Sequence, residues 1–508
     1  MFNPAKNHYL KNIYNLIPST IFPWLITALG IILYLRQYLI NRSLWLDEAM
    51  VSLDIIQQPV SSFLHQPLPH DQAAPFGFLI IEKLFLSLGG TGEYVLRLYP
   101  LIAGLISLWL FSRWARIYLN AEFAALALFT FVITPSLVYF SSEVKPYGTD
   151  VFFALLSYVV IAEPCLKKLD WSQTGGLGLL GAIIIWFSYP IIFILYGICI
   201  PLLLFSVIQR DRSQLLKLGV IVLYWSIGLI LYYIFLLHHF THITYGEDMQ
   251  SGMISLTDYR SWLRVLNDAF RYPVGTAHYL RFAKLFFFLG GYSFFKKDKR
   301  IFFILMSPLL LVLLACGLHI YPFLGRLVLF LVPIFLLMIA KGIGMISLKT
   351  GRWKIITAFL LTGILFYDSC FFTFKEFMAP QGNEEIRTVM SYVKKNIKPG
   401  DVLFIYYAAR PAFEYYNFIR GFSFNNYIEE QKARNQPSKW VNDLNKLHGS
   451  KRVWILFSHV WDSQINGMNE AEYFLHYLST SGGQMLDSSS SHGAAAYLFN
   501  LSHFYRDL

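Results

Sequence analysis

Apolar residues in this chain are gathered into unbroken blocks, each about as long as a bilayer is thick, and nothing else in the sequence limits its fold so strongly. A helix rises about 1.5 Å per residue, so about 20 mostly apolar residues cross a hydrocarbon core roughly 30 Å thick. Such blocks cover residues 20–40, 95–112, 119–140, 147–165, 174–188, 190–208, 215–237, 279–295, 301–320, 323–346 and 353–372. About eleven transmembrane helices are therefore expected, with the Ser188-Tyr189-Pro190 turn dividing two of them. Composition points the same way: 56% of residues are hydrophobic and 14% charged, against roughly 25% charged in an ordinary soluble domain. A soluble enzyme is excluded. The net charge of +11 lies mainly between the apolar blocks, where it signals topology and not nucleic-acid binding. The cysteines Cys165, Cys199, Cys316 and Cys370 show no CxxC spacing, so neither a disulfide framework nor a zinc site is indicated.

Lys and Arg near span ends resist translocation. Lys6, Lys11, Arg113, Arg116, Lys167, Lys168, Arg210, Arg212, Lys217, Lys296, Lys297, Lys299, Arg300, Lys349, Arg352 and Lys354 all fall on one side of the eleven-span assignment, which is thereby the cytoplasm. The first span is followed by Asn41-Arg42-Ser43-Leu44-Trp45, without a small-x-small cleavage pattern, and reads as an anchor. The expected protein is multi-pass in the cell (inner) membrane, with a cytoplasmic N-terminus. A transmembrane domain, residues 1–372, carries outer loops 41–94, 141–147 and 238–278; residues 373–508 form a small extracytoplasmic α/β domain. Residues 75–88 are apolar but interrupted by Glu82-Lys83, which suggests an interfacial helix. In the tail, residues 384–396 and 440–447 pattern as helices, residues 402–407, 452–457 and 494–499 as strands, and Ser488 to Ser491 as a loop.

The residues able to do chemistry collect at the outer boundary. Asp47 and Glu48 are adjacent carboxylates at the end of the first span. A charge near hydrocarbon is costly unless it is paired or hydrated, so the two are either solvated in a loop or put to use, as a general base toward a hydroxyl or as oxygen ligands. Glu143 and Lys145 lie in a second loop, where a mutual ion pair is the plain alternative; Tyr147 and Asp150 follow on one face of the next helix, with Pro146 suited to its first turn. Arg97 and Arg326 begin two spans from the outside. They either snorkel to lipid headgroups or bind phosphate through paired guanidinium donors. His70 and Asp71 stand near the same boundary as candidates for substrate contact, whereas His238, His239 and His242 pattern as a solvated loop start more than as metal ligands. The chain has no P-loop, HExxH or GxSxG motif.

At Trp45-Leu46-Asp47-Glu48-Ala49, Ala74-Pro75, Gly92-Glu93 leading to Arg97-Leu98-Tyr99-Pro100, and Ser142-Glu143-Val144-Lys145-Pro146-Tyr147, the chain resembles the GT-C superfamily of membrane glycosyltransferases. Within it, the resemblance is to the family 39-like group that includes protein O-mannosyltransferases and aminoarabinose transferases of lipid A. It covers about residues 20–150, and Arg326 with Pro333 resembles the family's late Arg-containing span. The tail, through Pro399-Gly400-Asp401-Val402 and Arg452-Val453-Trp454, resembles an outer α/β domain of some bacterial members. The resemblance implies the GT-C fold and transfer of a sugar from a polyprenyl-phosphate donor to a glycan, lipid or protein hydroxyl on the outer face, usually with inversion. It makes Asp47 the base and Glu48 a positioning group. Arg97 and Arg326 become the cations that neutralise the departing lipid phosphate, and Glu143, Lys145 and Tyr147 line the same cavity. Some members carry a Lys before a Pro-Pro pair where this chain has Ala73-Ala74-Pro75-Phe76, and Lys145 is a substitute for that cation. No cofactor is required; a divalent metal is allowed but not implied. The alternatives are a polymerase or ligase of lipid-linked glycans, a transporter or flippase, which would place ionisable groups at span centres, and a noncatalytic scaffold.

Overall fold

The computed structural model describes residues 21–236, 250–255, 257–462 and 467–504. Lys6, Lys11, His238, His239 and His242 lie outside these residues, as do the start of the first expected span and the first residues of the 238–278 loop. Each of the eleven apolar blocks is mainly helical where described. Among the described residues, seven helical segments are long and apolar enough to cross a membrane: Phe22–Leu39, Leu98–Tyr118, Tyr147–Cys165, Ile191–Ile208, Arg212–Phe235, Lys299–Gly317 and Gly325–Leu365. The division at 188–190 stands, between helices Trp171–Ile184 and Ile191–Ile208.

Two blocks are broken in ways their hydropathy hides. The 119–140 block is two helices, Ala121–Ile133 and Pro135–Phe140, because Pro135 disfavours helical backbone at Thr134 before it. The 353–372 block likewise divides into Lys354–Leu365 and Tyr367–Met378. Elsewhere small residues let helices meet backbone to backbone. A Cβ on Gly290 would stand 1.9 Å from the Met338 carbonyl oxygen, and one on Gly342 2.0 Å from that of Phe286. Larger residues there would force helices Leu280–Lys297 and Val332–Ser347 apart.

The tail forms a five-stranded sheet: β1 (Val402–Ile405), β2 (Tyr427–Glu429), β3 (Val453–Ser458), β4 (Gln484–Ser491) and β5 (Ala494–Asn500). Their order is β2-β1-β3-β5-β4. The first three are parallel, and β5 runs antiparallel to both β3 and β4. Ser488 to Ser491, expected as a loop, are part of β4, paired with Tyr497 back to Ala494 of β5. Serine has little intrinsic strand preference, and pairing with the neighbour overrides it.

Among the described residues, the buried apolar side chains form two clusters. One fills the helical body around Phe111, Trp114, Phe131 and Phe335. The other is shared: Leu44, Leu53, Phe78, Leu96 and Val144 from the segments around residues 44–99 and 144 pack with Phe404, Phe413, Trp454 and Phe499 of the tail. Buried polar links fasten the same junction. Glu93 pairs with Arg387 at 2.8 Å and Arg420 at 3.4 Å, and the Tyr416 hydroxyl accepts the Leu44 N–H at 2.9 Å. The loop that carries the acidic pair is thus shaped by the tail as well as by the helices.

Candidate active site

Asp47 and Glu48 occupy the first turn of helix Leu46–Gln57, where the helix dipole favours negative charge. No local side chain caps this helix. Glu384, from the tail, accepts the Leu46 N–H at 3.0 Å. The same Glu384 carboxylate accepts from Ser458 Oγ at 3.1 Å and pairs with Nδ1 of His459. The adjacent acids then face different partners.

Glu48 is fully buried. Its Oε1 and Oε2 take Arg97 Nε at 3.0 Å and Nη2 at 2.6 Å, and Oε1 also accepts the Val144 N–H at 2.9 Å. The remaining Arg97 donors go to the carbonyls of Arg42 at 2.7 Å and Ser43 at 3.4 Å. Arg97, expected beside a lipid phosphate, is 1% exposed and bonded on all three nitrogens, so here it clamps two loops together. Burial would raise the Glu48 carboxyl, but Arg97 and Arg42 outweigh it and hold it below its ordinary range.

Asp47 faces the other way. Its Oδ2 accepts from Arg326 Nη2 at 2.6 Å and lies 4.0 Å from Lys145 Nζ. Burial again works to raise the carboxyl, and Lys145, Arg326 and then His459 overcome it, leaving Asp47 below the usual carboxylate range. Lys145 also donates to Gln72 Oε1. Glu143 takes a different partner from Lys145, receiving the Trp45 indole N–H at 3.1 Å; the sequence alternative of a Glu143–Lys145 pair is replaced by two separate contacts. The Arg326 guanidinium lies over the rings of Trp45 and Tyr147, 5.3 and 5.4 Å from their centroids.

A cavity of about 400 Å³ opens beside this group, with Trp45, Tyr139, Glu143, Arg326 and Lys375 among its walls. A second, apolar groove of about 540 Å³ runs between Phe76, Gly77, Ile80, Trp186, Phe187 and Tyr224. Gly77 makes that approach, since its N–H donates to the Trp186 carbonyl at 2.7 Å and a Cβ would stand 2.4 Å from the Phe187 ring. The groove begins four residues after Gln72.

The chain matches, over residues 72–238, the family model described as dolichyl-phosphate-mannose-protein mannosyltransferase. No curated protein matches it in sequence. Its fold is similar to that of ArnT from Cupriavidus metallidurans, with TM-scores of 0.54 for the apo state and 0.56 for the state bound to undecaprenyl phosphate. Identity is 11% in each, with 93% of this chain and 97% of that chain covered. The oligosaccharyltransferase of Archaeoglobus fulgidus in its apo form is similar at a TM-score of 0.51 and 12% identity, over 93% of this chain and 80% of that one. The chain has the GT-C fold.

The GT-C body, with its apolar helices, is that of a multi-pass membrane protein. It gathers Asp47, Glu143, Lys145, Tyr147 and Arg326 but not every residue singled out in the sequence. His70 bonds Asp54 Oδ1 at 2.6 Å; Asp54 lies seven residues along the helix from Asp47, roughly 10 Å away at 1.5 Å per residue. Asp71 is exposed and 4.0 Å from Lys432. Asp150 is buried in the first turn of helix Tyr147–Leu156 with Oδ1 unpartnered. Sequence reasoning missed Gln72, which stands next to the two residues chosen, and Lys375. It also missed Glu384 and His459, for which no local signal exists. Among the described residues no three His, Cys, Asp or Glu side chains form a metal-ligating group.

Glu143 supplies a pH test. Burial first, and then the Glu48 charge, push its carboxyl up from 4.5 to about 7. The folded state therefore holds this proton more tightly than the unfolded chain. Its contribution to stability is complete below about pH 4.5 and is lost as pH rises through about 7. Glu143→Gln is expected to gain in thermal midpoint relative to wild type as pH is raised from 5 to 8, measured in detergent. A midpoint difference independent of pH would contradict the assignment.

Proposed function

We propose that this chain transfers a glycosyl group from a polyprenyl-phosphate donor to a hydroxyl acceptor at the outer face of the cell (inner) membrane. One observation carries the reading: the Asp47 carboxylate sits between two cations, Arg326 and Lys145, and Arg326 lines a cavity. A phosphate entering that cavity presents the charge and geometry for which a guanidinium and an ammonium are suited. It takes over Arg326 and Lys145, and Asp47, relieved of two neighbours that depress its basicity, becomes the base for the acceptor hydroxyl. As the acceptor oxygen bonds the anomeric carbon, the bond from that carbon to the phosphate oxygen breaks and its electron pair stays on the phosphate. The cations stabilise that developing charge.

Supporting features fall around this group. Burial and the Glu48 charge push the Glu143 carboxyl up to about 7 and its Oε2 is buried without a partner, so its protonated form can donate to a sugar or phosphate oxygen. The apolar groove between Phe76, Trp186 and Tyr224 has the lining that prenyl units require. Glu48 and Arg97 act as positioning residues, holding the helix that carries Asp47. The basic residues between spans support a cytoplasmic opposite face, with the domain after residue 372 outside. The solved ArnT bound to undecaprenyl phosphate and the mannosyltransferase family model support the donor class.

Purified protein assayed with a panel of polyprenyl-phosphate sugars is expected to release polyprenyl phosphate in an acceptor-dependent manner. Arg326→Gln is expected to weaken donor affinity about ten- to hundred-fold, the loss of one charge-assisted contact, and Arg326→Lys to fall between. An Arg326→Gln variant with unchanged donor affinity would refute the phosphate role.

A further inference from the structure

From Asp47 outward, rings and guanidiniums continue in an unbroken ladder. Arg326 bridges the rings of Tyr147 and Trp45. Trp45 is followed by His459 at 6.2 Å between ring centroids and His459 by Trp461 at 4.6 Å, and the Arg434 guanidinium lies 3.9 Å from the Trp461 centroid. The last three members belong to the tail. Trp45, His459 and Trp461 are all half-buried, each with surface open to a ligand.

The place and posture of His459 are specific. It follows the last residue of β3, at the carboxyl end of the parallel strands, the edge at which open α/β sheets take their ligands. Its φ is +52°, a left-handed conformation that non-glycine residues adopt at a cost and that clusters at ligand sites. Glu384 engages Nδ1, which leaves Nε2 as the ring nitrogen for another partner. The same carboxylate caps the helix of Asp47, so the ladder and the base are set by one residue.

Ring faces carry negative quadrupole charge and attract the electropositive C–H faces of a sugar ring, while guanidinium and imidazole nitrogens bond its hydroxyls. The ladder offers side-chain faces and donors, not the unpaired strand edge with which an extended peptide pairs. We infer that Trp45, His459 and Trp461 form the acceptor subsite and that the acceptor is a saccharide. Its reacting ring lies against Trp45 with a hydroxyl toward Asp47, and a following ring lies on Trp461. The hydroxyl proton passes to Asp47 as the oxygen takes the anomeric carbon and the phosphate departs with the bonding pair. This inference rests on the transferase reading above.

The test uses the full chain in detergent, with maltotriose, chitotriose and a serine- and threonine-containing hexapeptide as probes, and binding read by saturation-transfer NMR. Undecaprenyl phosphate affinity is measured in parallel. At least one trisaccharide should bind wild type, bind Trp461→Ala about five-fold or more weakly, and recover most of its affinity in Trp461→Phe. Undecaprenyl phosphate affinity should be equal in all three. The subsite assignment is overturned if neither trisaccharide binds wild type, if Trp461→Ala binds them equally well, if Trp461→Phe binds no better than Trp461→Ala, or if the peptide binds and the saccharides do not. Failure of wild type to bind undecaprenyl phosphate would instead strike at the functional reading itself.

Discussion

Replacing Asp47 with asparagine is expected to lower glycosyl transfer about 10²–10⁴-fold, the range a positioned general base supplies, with the fold intact. The side chain is partly exposed, and its partners keep other contacts, Lys145 with Gln72 and Arg326 over the rings of Trp45 and Tyr147. The amide keeps one oxygen to accept from Arg326, so little packing is lost, but it cannot accept the hydroxyl proton. Thermal midpoint and single-turnover release of polyprenyl phosphate separate the two effects. Full transfer activity in Asp47→Asn would remove this residue as base.

The second large effect belongs to Arg97. Breaking its buried pair with Glu48 strands a carboxylate away from water, at a cost of about 3–5 kcal/mol. Arg97→Gln is thus expected to lose thermal stability far more than Arg326→Gln does. Removing both charges together, as Glu48→Gln with Arg97→Met, is expected to cost less than the sum of the single changes, because the pair and its desolvation penalty leave together. A stable Arg97→Gln that has lost only donor affinity would return Arg97 to the phosphate.

These two arginines show what a single sequence can and cannot disclose. Hydropathy located the eleven apolar blocks, and those blocks are helical because a backbone surrounded by lipid must satisfy its own hydrogen bonds. Arg97 and Arg326 read alike there, each at the start of a span near the same boundary. Only the folded chain separates them, by giving Glu48 to one and Asp47 to the other across 49 and 279 residues. The 119–140 block looked continuous because its apolar content masked the break that Pro135 imposes. In the tail, Ser488 to Ser491 carried no strand signal of their own, since β5 supplies their pairing. Glu384 and His459 were illegible for a similar reason: their place at the site follows from docking the sheet on the first loop, an arrangement made of long-range contacts with no local period to betray it.

In the proposed reaction Asp47 and the donor phosphate compete for Arg326 and Lys145. That competition is read out by undecaprenyl phosphate binding to wild type, Asp47→Asn and Arg326→Gln. The expected order of affinity is Asp47→Asn tightest, because its cations are no longer neutralised, then wild type, then Arg326→Gln. An Asp47→Asn variant that binds undecaprenyl phosphate more weakly than wild type would contradict that account.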